Sequence, residues 1–269
     1  MSTQRVPLEA LQKIRQHLKS GLVVPESENN PNLYADVEEP PTPESLDGLS
    51  SLFHFGGSLE EAIQMPNNQG QWFISATNPG DVIMKLPGVK LKPHFRLVSY
   101  LFRMDNDGTS ATWALPESFS TTAHLEKALL IAGGRDTPPK PEAALTDFMA
   151  AIEGDNSPMS FIIASLLRRE ILEMGKMGRV AGWTHHCLIN TLPAARWQWR
   201  IETPKDFSPK VRVFLDGRVA IEFFTCRTVA PIALFQHVDQ YPAGHYHAKH
   251  LDRAIAIAQA PSQNGKKPA

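Results

Sequence analysis

Val211-Arg212-Val213-Phe214-Leu215-Asp216-Gly217-Arg218-Val219-Ala220-Ile221-Glu222-Phe223-Phe224-Thr225-Cys226-Arg227 reads as two strands joined by a tight turn. β-Branched and aromatic residues fill both arms, and Asp-Gly suits a two-residue hairpin loop because it tolerates positive φ. A two-residue turn at Asp216-Gly217 sets the register. It places Lys210, Arg212, Phe214, Val219, Ile221 and Phe223 on one face. Val211, Val213, Leu215, Arg218, Ala220 and Glu222 then lie on the other. Neither face is cleanly polar, so both are expected to be partly covered.

The flanking segments carry the same period. Arg196-Trp197-Gln198-Trp199-Arg200 alternates strictly, with both Trp residues on one face and both Arg residues on the other. Thr228 to Gln236 reads as a further strand. Toward the N-terminus, Phe95 to Met104 and Ala111 to Leu115 flank Asp105-Asn106-Asp107-Gly108, a second hairpin. Gln71 to Ala76 is a short strand ended by the turn Asn78-Pro79-Gly80.

Helical spacing fills the interval between. One helix is expected over Thr122–Ala132, stopped by Gly133-Gly134. A second is expected over Pro141–Glu153, where Leu145, Phe148, Met149 and Ile152 fall at i, i+3, i+4 and i+7. A third starts at Ser157, a good N-cap, with Pro158 in its first turn, and ends near Gly175. Its first half is apolar on most sides and central to the core, and from Arg168 it turns amphipathic. These patterns predict an α+β body, residues 51–259, in which a mostly antiparallel sheet packs against a small group of helices. The proline-rich stretch at 136–141 is a candidate division into two subdomains.

Residues 1–21 form a short basic amphipathic helix, with Leu8, Leu11, Ile14 and Leu18 in one stripe. Residues 22–50 hold seven acids and no Lys or Arg, with many Pro and Ser, and are expected to be a disordered acidic linker. Residues 260–269 are expected to be a disordered tail. Taking the linker's seven acids from 28 leaves 21 against 27 basic residues, so the rest of the chain is about +6. No apolar run precedes Glu9, the longest runs fall far short of a membrane span, and two cysteines cannot form a four-thiolate zinc site. A cytoplasmic protein is expected.

The sequence holds no G-x-S-x-G elbow, phosphate loop, dinucleotide fingerprint or H-E-x-x-H. Three constellations remain. His245 and His247 point the same way on a strand, and His237 or Asp239 would complete a candidate set of three zinc ligands, leaving a fourth position open for water. Arg196, Arg200, Lys210 and Arg212 are candidates for binding nucleic acid or another anion beside aromatic residues. Cys187, after His185-His186, and Cys226 read as buried inert thiols.

Without a catalytic signature, the leading expectation is a non-enzymatic interaction, regulatory or assembly protein that binds another macromolecule, with another protein the expected partner. Leu8, Leu11, Ile14 and Leu18 on the tethered helix would dock on the body itself, since so short a helix is marginal alone, in a partner's groove, or weakly on an anionic membrane. In the partner case, deleting residues 1–50 would leave folding intact. A metal-dependent hydrolase built on the histidine cluster is the alternative, and a weak RNA or single-stranded DNA binder the third reading. No other cofactor is expected.

Overall fold

Backbone hydrogen bonding in the computed structural model, which describes residues 2–29 and 69–259, defines twelve strands and five α-helices among those residues. In chain order they begin with β1 (Ser2–Arg5), α1 (Leu8–Gly21), α2 (Glu26–Asn29), β2 (Trp72–Ile74), α3 (Pro79–Ile83), β3 (Val89–Leu91), β4 (Phe95–Met104), β5 (Asp107–Pro116) and α4 (Thr122–Leu130). They continue with β6 (Ile152–Gly154), α5 (Pro158–Glu173), β7 (His186–Ile189), β8 (Trp197–Trp199), β9 (Lys210–Val213), β10 (Val219–Arg227), β11 (Ala233–Tyr241) and β12 (Lys249–Ala258). The fold is α+β, and every pair of these strands is antiparallel.

The largest sheet runs β1-β9-β10-β11-β12-β8. β9 pairs with the first half of β10, and β7 takes the second half of the same edge. β2-β4-β5 and β3-β6 make two smaller sheets. The β9–β10 turn has three residues, not two. Phe214 N–H donates to Arg218 O (2.9 Å), Gly217 N–H donates to Phe214 O (3.1 Å), and Gly217 takes φ +81°. A three-residue loop with glycine in the left-handed region is the next commonest hairpin closure. The extra residue moves the register by one, so Val213 faces Val219 and Val211 faces Ile221. Val211, Val219, Ile221 and Phe223 then share a buried inner face, and Lys210, Arg212 and Glu222 lie on the outer one. The mixed faces expected from the two-residue turn are thereby sorted along β9 and the start of β10, and the outer face is itself covered farther along, where Phe224 packs with Phe207, Leu234 and Ile255.

α5 is the central element. Ser157 Oγ accepts from Ser160 N–H, Pro158 opens the helix, and Phe161 to Leu167 are buried on every side. The helix touches α1, β5 and β10. Leu97, Leu101 and Ala114 join Phe161, Ile163 and Phe223 in a single cluster, so one core runs across the 136–141 stretch. The second half of α5 is not simply amphipathic, because Arg169 and Glu170 are both buried.

Three local expectations fail for identifiable reasons. Residues 141–153 are not a helix. Asp147 caps a short 3-10 turn at Phe148–Ala151 by accepting from Met149 N–H, and Ile152–Gly154 pairs with β3 as a strand. Buried side chains keep the helical spacing, but the backbone groups bond elsewhere. Asn78-Pro79-Gly80 opens α3 rather than a turn, with Asn78 Oδ1 accepting from Gly80 N–H. The strand expected at Thr228–Gln236 starts later, at Ala233, and its neighbour β12 was not foreseen.

The stripe that could have docked on a partner lies on the protein's own body. Leu11 and Leu18 are completely buried in the main core, Leu8 and Ile14 pack against it, and β1 pairs with β9. A 14-residue helix needs such tertiary contact to be stable in water.

Part of the expected linker is also fixed. Glu28 is buried and accepts from Ser75 Oγ (2.7 Å) and Ala76 N–H (2.6 Å). The Arg103 guanidinium, brought down to about 10 by burial against the pull of Glu28, donates to Glu28 O (2.9 Å) and Asn29 Oδ1 (3.3 Å). Arg103 O accepts from Gly70 N–H (2.7 Å). The remaining linker residues, 30–50, lie outside the described residues, as do body residues 51–68 and the tail 260–269.

Leu18→Ala is therefore expected to destabilise the protein by about 2–5 kcal/mol in urea unfolding, the cost of a large-to-small core change. Deleting residues 1–21 should abolish cooperative unfolding. A truncated chain that melts like the full one would show that α1 is dispensable.

Candidate functional site

The inner face of the large sheet changes character toward the second half of α5. Here it carries Thr225, His237, Asp239, His250 and Asp252, and α5 supplies Arg169 and Glu170. Arg169 is the centre of this layer. Its Nη1 donates to Asp239 Oδ2 (2.6 Å), and its Nη2 donates to Asp239 Oδ1 (2.9 Å) and Asp252 Oδ1 (2.7 Å). Burial alone would lower the guanidinium pKa, but the two carboxylates more than offset it and hold it above its ordinary value. Burial likewise tends to raise Asp239 and Asp252. Arg169 and His250 at Asp239, and His237 and Arg169 at Asp252, hold both well below the usual carboxylate range. Ser165 Oγ donates to Asp239 Oδ2, and His250 Nδ1 lies 2.7 Å from Asp239 Oδ1.

A directional chain leaves Asp252. Its Oδ1 is 2.7 Å from His237 Nδ1, His237 Nε2 is 2.8 Å from Thr225 Oγ1, and that oxygen is 2.8 Å from His186 Nδ1. An ionised Asp252 only accepts, so His237 carries its proton on Nδ1. Thr225 O–H must then donate to His237 Nε2, and His186 Nδ1–H donates to Thr225. The chain ends in an unprotonated His186 Nε2, which has no partner among the described residues. Burial, with His237, Arg15 and Arg227 nearby, pushes His186 down to about 4. Burial also lowers His237, against the pull of Asp252. Both rings are neutral at pH 7.

Above this layer opens a cleft of about 330 Å³. Leu172, Val180, Trp183 and Phe235 form its apolar wall, Arg168, Glu173 and Lys176 stand on it, and His186, His237 and Asp252 form its floor. Trp183 is held from several directions. Its Nε1–H donates to Glu170 Oε1 (2.6 Å), its carbonyl accepts from Arg15 Nη2 (2.8 Å), and the Arg15 guanidinium lies 4.5 Å from the ring centroid. Arg15 Nη1 also donates to His186 O, and Arg15 Nε donates to Glu170 Oε1 (2.7 Å). Glu173 Oε1 caps the turn that presents Trp183, accepting from Gly182 N–H and Thr184 N–H at 2.8 Å each. Thus α1, α5 and β7 jointly fix the cleft wall.

Compared with known proteins, the chain matches no family model, no curated relative and no solved structure.

The expected zinc set is split. His237 and Asp239 are neighbours on the inner face, but both ring nitrogens of His237 and both oxygens of Asp239 are in hydrogen bonds. His245 and His247, with ring centroids 5.3 Å apart, are exposed in the loop before β12, and neither hydrogen-bonds to the other two. His250 is the ring that reaches Asp239 instead. Among the described residues, no group of three or more His, Cys, Asp or Glu has the arrangement of a metal site.

The expected anion set is divided too. Lys210 and Arg212 line a hollow of about 560 Å³ on the outer face. Lys210 pairs with Asp206 (3.2 Å) and Arg212 with Glu222 (2.9 Å). Arg196 and Arg200 are exposed at either end of β8. This hollow is larger than the Trp183 cleft, and of its cations Lys210 and Arg212 are paired with carboxylates in it, while Lys205 and Arg253 also line it. Cys187 is exposed and Cys226 half-buried, so the expectation of two buried thiols is corrected. Sequence reading missed Arg15, Arg169, Glu170, Thr225 and Asp252. Two signals were visible, an Arg-Glu pair in a largely apolar helix and a Thr inside an apolar strand; Arg15 and Asp252 carried none.

Arg169→Met should cost about 3–5 kcal/mol in urea unfolding, because it strands buried carboxylates, and adding Asp239→Leu should recover much of the loss. Acid should act in two stages. His186 and His237 resist protonation when folded, so the unfolded chain binds more protons from pH 6.5 down to about 4, and stability falls across that window. Asp239 and Asp252 add a further loss below their ordinary value of 3.8. A melting temperature flat from pH 7 to 4 would contradict the buried neutral rings.

Proposed function

We propose that the protein is a non-enzymatic interaction protein. The Trp183 cleft receives an acidic segment of another protein that also carries an apolar side chain. The observation carrying this reading is the contrast between the cleft's mouth and its floor. Arg168 and Lys176 make no ion pair or side-chain hydrogen bond among the described residues, and Leu172 beside them is well exposed. Beneath them, the ionised groups Arg169, Asp239 and Asp252 are bound to one another. Free cations over an apolar wall attract carboxylates flanking an apolar anchor. His186 Nε2 offers one acceptor for a partner N–H.

The same geometry weighs against hydrolysis in this cleft. Thr225 stands where a triad nucleophile would stand, but it is fully buried between two imidazoles and no substrate carbonyl can reach it. A zinc-dependent hydrolase on His237, Asp239, His245 and His247 draws no support from their placement. Nucleic-acid binding through Arg196, Arg200, Lys210 and Arg212 draws little, since two of the four are paired internally. Among the described residues, no helix is long and apolar enough to cross a membrane.

Fluorescence anisotropy with a labelled peptide of alternating Glu and Leu tests this reading. The peptide is expected to bind, to weaken with added salt, and to lose about tenfold in affinity when both Arg168→Glu and Lys176→Glu are introduced. His186→Phe keeps a ring beside Trp183 but removes the acceptor, and should weaken binding several-fold. Equal binding by the wild type and the double variant, or preference for a Lys-Leu peptide, would overturn the assignment.

A further inference from the structure

Cys187 and Cys226 are direct cross-strand partners where β7 pairs with β10. Two residues further along the same ladder, Thr228 N–H donates to His185 O (2.9 Å). Hydrogen-bonded and non-hydrogen-bonded pairs alternate in an antiparallel ladder, so Cys187 and Cys226 also form a hydrogen-bonded pair, with Cα atoms about 5.5 Å apart. Disulfides bridge Cα separations of about 4.4–6.8 Å. Residues directly opposite project from the same face of the sheet, and here that is the outer face. Cys226 packs at the edge of the cluster around Phe224 and Leu234. Both are free thiols, and Cys187 is exposed to solvent. The Cys226 thiol is pushed up by burial and by the nearness of Cys187.

We infer that Cys187 and Cys226 form a redox-sensitive dithiol, a modification site that closes to an intrachain disulfide on exchange with a small-molecule disulfide such as oxidised glutathione. The exposed Cys187, as thiolate, attacks one sulfur of the oxidant. A Cys187–glutathione bond forms, the oxidant's S–S bond breaks, and one glutathione thiolate leaves. Cys226 loses its proton to solvent and attacks the Cys187 sulfur, expelling the second glutathione thiolate. Two protein thiols are oxidised and one glutathione disulfide is reduced to two thiols. Cβ atoms of directly opposite residues stand about 4.5–5.5 Å apart, against about 3.8 Å in a disulfide, so the strands must draw together slightly. That places the bond among the more easily reduced ones, suited to reversal. It also lies one residue from the His186–Thr225 hydrogen bond on the other face of the same strand pair.

The test treats the full chain with oxidised glutathione and follows it by intact mass, thiol titration and peptide mapping. The expected product is a monomer that has lost two hydrogens and both titratable thiols, with one peptide pair linking Cys187 to Cys226. Dithiothreitol should restore both thiols. Cys187→Ser should leave Cys226 reduced, and Cys226→Ser should stop at the mixed disulfide on Cys187. Two titratable thiols persisting after treatment, a stable glutathione adduct without closure in the wild type, or a disulfide between two chains would each overturn the inference. The mapping on wild-type protein decides the matter even if a serine variant folds poorly.

Discussion

A guanidinium withdrawn from water has to be surrounded by acceptors, and Arg169 determines where those acceptors stand. It projects from α5 into the inner face of the large sheet and meets Asp239 on β11 with two nitrogens and Asp252 on β12 with one. Its carbon end lies 5.1 Å from the Phe223 ring centroid, which covers it with an aromatic surface of favourable sign. A pair of this kind is not an efficient way to stabilise a core, because desolvation cancels much of the attraction. It is an effective way to fix geometry. Rotating α5 by one residue would leave a buried cation unpaired, so the helix has one permitted setting against the sheet.

From that setting the other polar contacts follow. Asp252, held by Arg169, orients His237. His237 orients Thr225, and Thr225 orients His186. At the next residue of α5, Glu170 receives both Arg15 from α1 and Trp183 from the cleft wall. The N-terminal helix is thus joined to the cleft through Arg15, which also donates to Trp183 O and His186 O, and the body does not fold around a freely tethered arm. Both halves of the site hang on consecutive residues of a single helix, and the apolar half of that helix forms the centre of the core.

Much of this frame was legible beforehand. Periodicity located α1, α4, α5, both principal hairpins and the paired Trp residues of β8, since each is set by local alternation or by a capping residue such as Ser157. What local patterns could not carry was register and long-range pairing. Asp216-Gly217 looks like a two-residue turn, and only the third loop residue, Leu215, separates the mixed faces from the observed ones. Residues 145–152 keep helical spacing because their side chains are buried, yet Asp147 and β3 claim the backbone. The histidine cluster failed for a similar reason. Of the expected set, His237 and Asp239 share the inner face of the sheet, and Arg169, 68 residues before His237, supplies the partner of Asp239 there. Charge compensation across such a separation leaves no spacing in the sequence.

Arg103 has a different implication. Its side chain holds Glu28 and Asn29, and its main-chain carbonyl holds Gly70, so residues on either side of the 30–68 interval are fastened to one amino acid. Closure at that point is already secured by the frame. The gap between Asn29 and Gly70 is therefore spanned by a single rung of β4, which clasps the two ends whatever joins them.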